Sequence, residues 1–170
     1  MKWIRFFGNF EGRIPRKTFW LANIVVFVFE VIVAAIAAAS VEGFAGETAG
    51  DMTMHIVTFA FLYPQFVIAL KRAHDLEMSS QVIYAWYIVL AVYSVLVRFA
   101  GWLWINLTQN IYSLVVLAFV FVFIFVVGIV SLALLIELGF RRGTRGSNRF
   151  GPDPLAKTCA ALAALANESA

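Results

Sequence analysis

Three groups of residues in this chain have the types and spacing to do chemistry. The run Lys71-Arg72-Ala73-His74-Asp75 sets an imidazole beside a carboxylate, a combination used in acid–base catalysis and metal ligation. Sequence neighbours point in different directions, however, and neither a second histidine cluster nor a further acid completes a metal site. Asp75 has two plainer uses, as a cap at a helix end or as a partner for Arg72. The second group centres on Glu30, which interrupts a long apolar run. Counted from Trp20 it lies about 15 Å into a bilayer, close to the midplane. Tyr93 and Ser94 come to a similar depth on a later run, where either can hydrogen-bond the carboxyl. Glu30 then reads as a proton or cation relay, or as a carboxyl that pins helices together. The third group is Arg141-Arg142-Gly143-Thr144-Arg145-Gly146-Ser147-Asn148-Arg149-Phe150-Gly151-Pro152-Asp153-Pro154. Its glycines let backbone N–H groups turn inward as an anion nest with arginines around it. The lysine and Ser/Thr ending of a P-loop is absent, so lipid phosphates are the nearest anions for such a nest.

The remaining ionisable residues have simpler readings. Arg98 lies near a span end, where its long stem lets the guanidinium reach headgroups. Glu137 and Arg141 are one helical turn apart and can pair. The single cysteine, Cys159, allows no intramolecular disulfide and no thiolate zinc cluster. His55 and His74 lie far apart and match no metal-ligand spacing. No catalytic residues, no metal and no cofactor are expected.

The elements that must position these groups are membrane spans. Of 170 residues, 62% are hydrophobic and only 14% charged, whereas soluble domains are about 45–50% apolar and about 25% charged. That surplus cannot be hidden in one small soluble core, and it excludes a disordered chain as well. Four apolar spans are predicted, at about 19–40, 54–70, 82–107 and 111–136, in one all-α membrane domain over 1–154, with a tail over 155–170. Pro64 should kink the second span, which neighbouring helices make tolerable. A cleaved signal ending at Ala37-Ala38-Ala39 is not expected, because 18 residues precede the apolar run and Glu30 interrupts it.

The charges between the spans set the orientation. Lys2, Arg5, Arg13, Arg16 and Lys17 precede the first span, Lys71 and Arg72 follow the second, and Arg141, Arg142, Arg145, Arg149 and Lys157 follow the fourth. Only Arg98 falls on the other side, where Glu42, Glu47 and Asp51 lie. Basic residues in short loops stay in the cytoplasm, so both termini are predicted inside. The basic residues flank apolar runs rather than clustering on a soluble face, which argues against nucleic-acid binding. Trp3, Phe6, Phe7 and Phe10 interleave with Lys2 and Arg5, a mixture that suits a short helix in the headgroup layer. Gly12 can end it in a left-handed turn and Pro15 can open the next helix. At the far end, Asp153 can cap a helix starting at Pro154 and carrying Leu155, Cys159, Leu162 and Ala166 on one face.

Three blocks stand in order around the four spans: Phe10-Glu11-Gly12-Arg13-Ile14-Pro15-Arg16-Lys17-Thr18-Phe19-Trp20, then Arg72-Ala73-His74-Asp75, then Gly143 through Pro154. Together they resemble one family, the small bacterial inner-membrane proteins grouped as domain-of-unknown-function 805. The resemblance covers roughly residues 6–154. Ser79-Ser80-Gln81-Val82 stands where the family usually has Ser-Gly-Trp-Trp. The resemblance implies a multi-pass protein of the bacterial inner membrane and supplies no catalytic residues.

All three blocks fall on the predicted cytoplasmic side. Gly12, Arg13, Arg72, His74, Asp75, Asn148 and Gly151 are therefore expected to meet as a polar cap at the inner mouth of a four-helix bundle. Glu30 and Tyr93 are the candidate polar pair inside the membrane. The expected function is a non-enzymatic, lipid-contacting scaffold or subunit of an assembly. The alternative is a small transporter or channel component with Glu30 as its ion-linked group. Expected partners are membrane lipids, anionic headgroups among them, and further copies of the chain or other membrane proteins.

Overall fold

The computed structural model describes residues 6–107 and 111–156, with side chains over 6–98 and 114–156. Four helices follow in order: α1 (Arg16–Ala45), α2 (Glu47–Asp75), α3 (Ser80–Leu107) and α4 (Ile111–Phe140). All four are long and apolar enough to cross a membrane. At 28 to 30 residues each, they reach about 42–45 Å, beyond the roughly 30 Å of hydrocarbon. Among the described residues there is no strand, only an isolated bridge between Asn148 and Gly151.

The helices outrun the predicted spans because hydropathy marks where apolar residues stop, not where the hydrogen-bond ladder stops. Glu42, Glu47 and Asp51, expected in a loop, are helical, and Gly46 alone separates α1 from α2. Gly46 adopts φ 88°, a region that glycine enters without steric cost. Its N–H donates to the Glu42 carbonyl at 3.0 Å, and its own carbonyl accepts from Ala49 and Gly50. A Cβ on Gly50 would lie 3.0 Å from Glu42 Cβ, so the two helices leave the turn in close contact. The second span does continue through Pro64 as one helix.

Packing is uneven along the bundle. α1 lies against α2, α2 against α3 and α3 against α4, while α1 touches α4 only sparingly. The buried core is Ile14, Phe19, Ala22, Val26, Ile68, Ala69, Leu70, Ala73, Leu76, Ile83 and Leu138. Apart from Ile14 just before α1 and Leu76 just after α2, these residues come from the first part of α1, the end of α2, the start of α3 and the end of α4, which all meet at one end. Elsewhere large apolar side chains such as Phe29, Ile36, Phe119 and Phe125 point outward, as helices solvated by lipid require. Residues 6–8 are helical, and Phe6 and Phe7 pack against this core. Residues 1–5 of the expected headgroup helix, and Cys159, Leu162 and Ala166 of the tail stripe, lie outside the described residues.

The end of α2 is closed by a paired-bond turn. The Met78 N–H donates to the Ala73 carbonyl at 3.0 Å and the Glu77 N–H to the His74 carbonyl at 3.3 Å, the pattern of a Schellman cap. That cap needs a left-handed residue, and Glu77 fills it at φ 57°. A non-glycine residue there costs about 1–2 kcal/mol, partly offset in a glycine variant by the greater freedom of its unfolded chain. Glu77→Gly should therefore stabilise the protein by roughly 0.5–1 kcal/mol. The check is a rise in the thermal unfolding midpoint in neutral detergent.

Candidate functional site

At the end where the core lies, the three sequence blocks converge on Asp75. The left-handed Gly12 (φ 96°) turns the N-terminal segment so that Arg13 reaches across to the last residue of α2. Asp75 Oδ1 accepts from Arg13 Nε at 3.1 Å and Nη2 at 2.9 Å, and Oδ2 accepts from Arg72 Nη1. The side chains of Arg13, Arg72 and Asp75 are 1%, 0% and 5% exposed. One carboxylate thus holds two buried guanidinium groups: the foreseen pairing of Asp75 with Arg72 is present, and Arg13 joins it. An unpaired buried charge costs several kcal/mol, so the remaining donors of the arginines must also be satisfied.

They are satisfied by backbone carbonyls. Arg13 Nη2 donates to Thr144 O at 2.6 Å and Nη1 to Gly146 O at 2.7 Å. Arg72 Nε donates to Leu138 O at 2.7 Å, Nη2 to Arg141 O at 2.5 Å and Nη1 to Ile14 O at 3.3 Å. The last carbonyls of any helix lack partners within that helix. In α4 they find them on α1 and α2: Leu138 from Arg72, Gly139 from Trp20 Nε1 at 3.2 Å, and Phe140 from Arg16 Nη1 at 3.1 Å. A Cβ at Gly139 would sit 2.5 Å from Trp20 Cζ2, so the missing side chain there lets the indole approach.

His74 completes the cluster without facing Asp75. Its Nδ1 lies 3.3 Å from the Gly12 carbonyl and its Nε2 lies 3.0 Å from Ser80 Oγ. A carbonyl only accepts, so Nδ1 carries the proton, and in the neutral ring Nε2 accepts from Ser80. The ring stacks on Phe150 at 4.0 Å between centroids. Asn148 Nδ2 donates to the His74 carbonyl at 3.1 Å and to Thr144 Oγ1 at 3.0 Å, while Asn148 and Gly151 exchange two backbone bonds of 3.0 Å. The Thr144 N–H bonds the Asp75 carbonyl at 2.9 Å. Gly12, Arg13, Arg72, His74, Asp75, Asn148 and Gly151 therefore lie together in one network.

Other expected arrangements take a different form. Glu30 accepts from Gln65 Nε2 at 2.8 Å, and among the described residues no hydrogen bond joins it to Tyr93. Tyr93 lies on α3, which packs on α2 and α4 rather than on α1. The Ser94 hydroxyl turns back to the Ala91 carbonyl of its own helix at 2.7 Å. One loop glycine, Gly146, does turn its N–H to a negative group, but the anion is internal. Asp153 accepts from Leu155 N at 2.9 Å and Gly146 N at 3.0 Å, and these two N–H groups, in that order, hold its carboxyl below the usual carboxylate range. Glu137 and Arg141 form the foreseen ion pair at an exposed position.

Sequence reasoning did not single out Thr144, Trp20, Arg16 or Phe150 as parts of this site. Thr144 and Phe150 lie within the third block, and Trp20 closes the first. Arg16, Trp20 and the Thr144 N–H, however, bond backbone carbonyls and Phe150 meets a ring face, which no residue spacing marks.

The family described as Protein of unknown function (DUF805) matches residues 7–152, a stretch that contains the whole network around Asp75. The chain belongs to this family. Two relatives, both named Inner membrane protein YhaH, come from Escherichia coli strain K12 and Escherichia coli O157:H7. Each is 25% identical over 154 residues, covering 91% of this chain and 93% of the relative. No solved structure matches. DUF805 membership and four membrane-length helices make the chain a multi-pass membrane protein. In this DUF805 member the three blocks that carry the resemblance are the parts that bond to one another.

Two substitutions test whether the network holds the bundle closed. Asp75→Asn removes the counter-charge of two buried guanidinium groups and should cost about 3–5 kcal/mol. Gly143→Ala places a methyl group into the Asp75 carboxylate and should cost about 1–3 kcal/mol. Thermal unfolding in detergent reads both, and wild-type midpoints in both variants would show that the network bears little of the stability.

Proposed function

We propose that the chain is a lipid-contacting scaffold or assembly subunit of the bacterial inner membrane, with the DUF805 network on the cytoplasmic side. One observation carries this reading. The buried arginines direct their donors to the Asp75 carboxylate and to backbone carbonyls at the ends of other elements. Among the described residues every buried side-chain nitrogen and oxygen has a partner. Groups committed in this way hold structure, whereas a reaction centre needs a donor, acceptor or nucleophile free to meet substrate. The non-enzymatic reading is supported on that ground.

The inner-membrane location is supported by the names of the two relatives and by the four apolar helices. The cytoplasmic orientation rests on the crowding of basic residues at the Asp75 end. The lone Cys159 follows α4 in sequence, so on this reading it is cytoplasmic. In intact spheroplasts it should resist a membrane-impermeant maleimide and react once the membrane is broken. Labelling of intact spheroplasts would reverse the orientation.

In this proposal Glu30 is a helix pin. Its hydrogen bond to Gln65 joins the two helices of the tightest pair, α1 and α2. Glu30→Gln keeps a hydrogen-bonding side chain of the same length, so thermal stability should hold within about 1 kcal/mol. Proton or cation flux across reconstituted vesicles should be unaltered. A flux present in the wild type and lost in this variant would favour the transporter reading instead.

A further inference from the structure

Beside the buried network lies a cavity of about 270 Å³ between the start of α1 and the loop after α4. Arg16, Arg72, Arg142 and Arg145 line it, with Asp75 and Asp153 as the carboxylates. Neither carboxylate is free to neutralise an incoming group. Asp75 holds Arg13 and Arg72, and Asp153 holds the N–H groups of Gly146 and Leu155. Arg142 and Arg145 are exposed, and among the described residues neither makes a hydrogen bond or an ion pair. Arg16 commits one nitrogen to the Phe140 carbonyl, which leaves its other donors available. The cavity therefore presents three guanidinium groups with unused donors, and the Gly146 N–H next to them is already taken by Asp153.

Guanidinium forks match the oxygens of phosphate. The volume falls below the roughly 300–1,000 Å³ of pockets for drug-sized ligands, which favours a phosphate with a small substituent over a nucleotide. The surroundings favour a lipid as its source. Leu155 lines the cavity and is half exposed, and Phe140, whose carbonyl Arg16 holds, turns its ring outward at 64% exposure. Below it runs the sparse α1–α4 seam, an apolar surface along which an acyl chain can lie. We propose that Arg16, Arg142 and Arg145 form a binding subsite for the phosphate ester of an anionic phospholipid headgroup. This rests on the lipid-contacting reading above and places that contact at one cavity.

The test uses the full chain in neutral detergent, with thermal shift as the readout and three additives: short-chain phosphatidylglycerol, short-chain phosphatidylcholine and inorganic phosphate. Phosphatidylglycerol should raise the midpoint, and the other two should leave it near the detergent value. The double variant Arg142→Gln/Arg145→Gln should fold, because both side chains are exposed and, among the described residues, unpaired. It should need about tenfold more phosphatidylglycerol for the same shift. Lys17→Gln, which removes a charge near the start of α1 outside the cavity, should respond like the wild type. An undiminished shift in the double variant overturns the subsite while leaving lipid contact standing. An equal loss in Lys17→Gln overturns it in favour of diffuse basic attraction. A wild-type response to inorganic phosphate as large as that to phosphatidylglycerol overturns the lipid source. No response to phosphatidylglycerol in the wild type overturns the subsite and the lipid-contacting reading together.

Discussion

Arg72 is fully buried, and a guanidinium cannot lose its charge to escape the cost of burial. Every feature near it answers that constraint. Asp75, one turn further along α2, supplies the counter-charge. The carbonyls of Ile14, Leu138 and Arg141 take the other donors. These acceptors belong to the segment before α1, the end of α4 and the start of the following loop, so satisfying one side chain draws four parts of the chain to a single point. Arg13 approaches the same carboxylate from the other side and ties in Thr144 and Gly146.

A membrane gives this device its value. In water, apolar faces drive helices together, but lipid tails solvate leucine and phenylalanine as well as another helix does. The distribution of buried residues follows that logic: the core gathers at the Asp75 end, and the apolar faces elsewhere remain turned outward. Polar bonds in a poorly hydrated setting are stronger than in water and costly to leave unmade. A network at the bundle end therefore fixes which helices are neighbours where apolar packing is indifferent. Within the apolar depth, the Glu30–Gln65 bond does the same for one helix pair.

The number of helices was legible in the sequence because four apolar runs of bilayer length have few alternatives. So was the grouping of the three polar blocks, since the basic residues put them on one side. Helix ends were not legible where polar but helix-compatible residues continue the ladder, as Glu42, Glu47 and Asp51 do around Gly46. The site's inner wiring was hidden for a different reason. Arg72 and Trp20 bond to carbonyls, and any residue has one, so Leu138 and Gly139 carry no mark of their role. The partner of Glu30 was missed because depth alone does not say which helices touch. Gln65 and Tyr93 both lie on later spans, but only the helix of Gln65 packs closely on α1.

Asp153 shows how a single residue redirects the reading of a motif. Glycines and arginines between 141 and 151 have the composition of an external anion site, yet Asp153, two residues beyond Gly151, takes the Gly146 N–H itself and caps the following turn through Leu155. The loop is then held in shape by its own carboxylate, and Asp75 is likewise consumed by Arg13 and Arg72. With both acids committed, Arg142 and Arg145 have no carboxylate partner among the described residues and line the cavity. The committed buried network and the unpaired arginines at its rim are thus two results of one charge balance: Asp75 serves the two guanidinium groups inside, and the surplus of arginine is left at the surface.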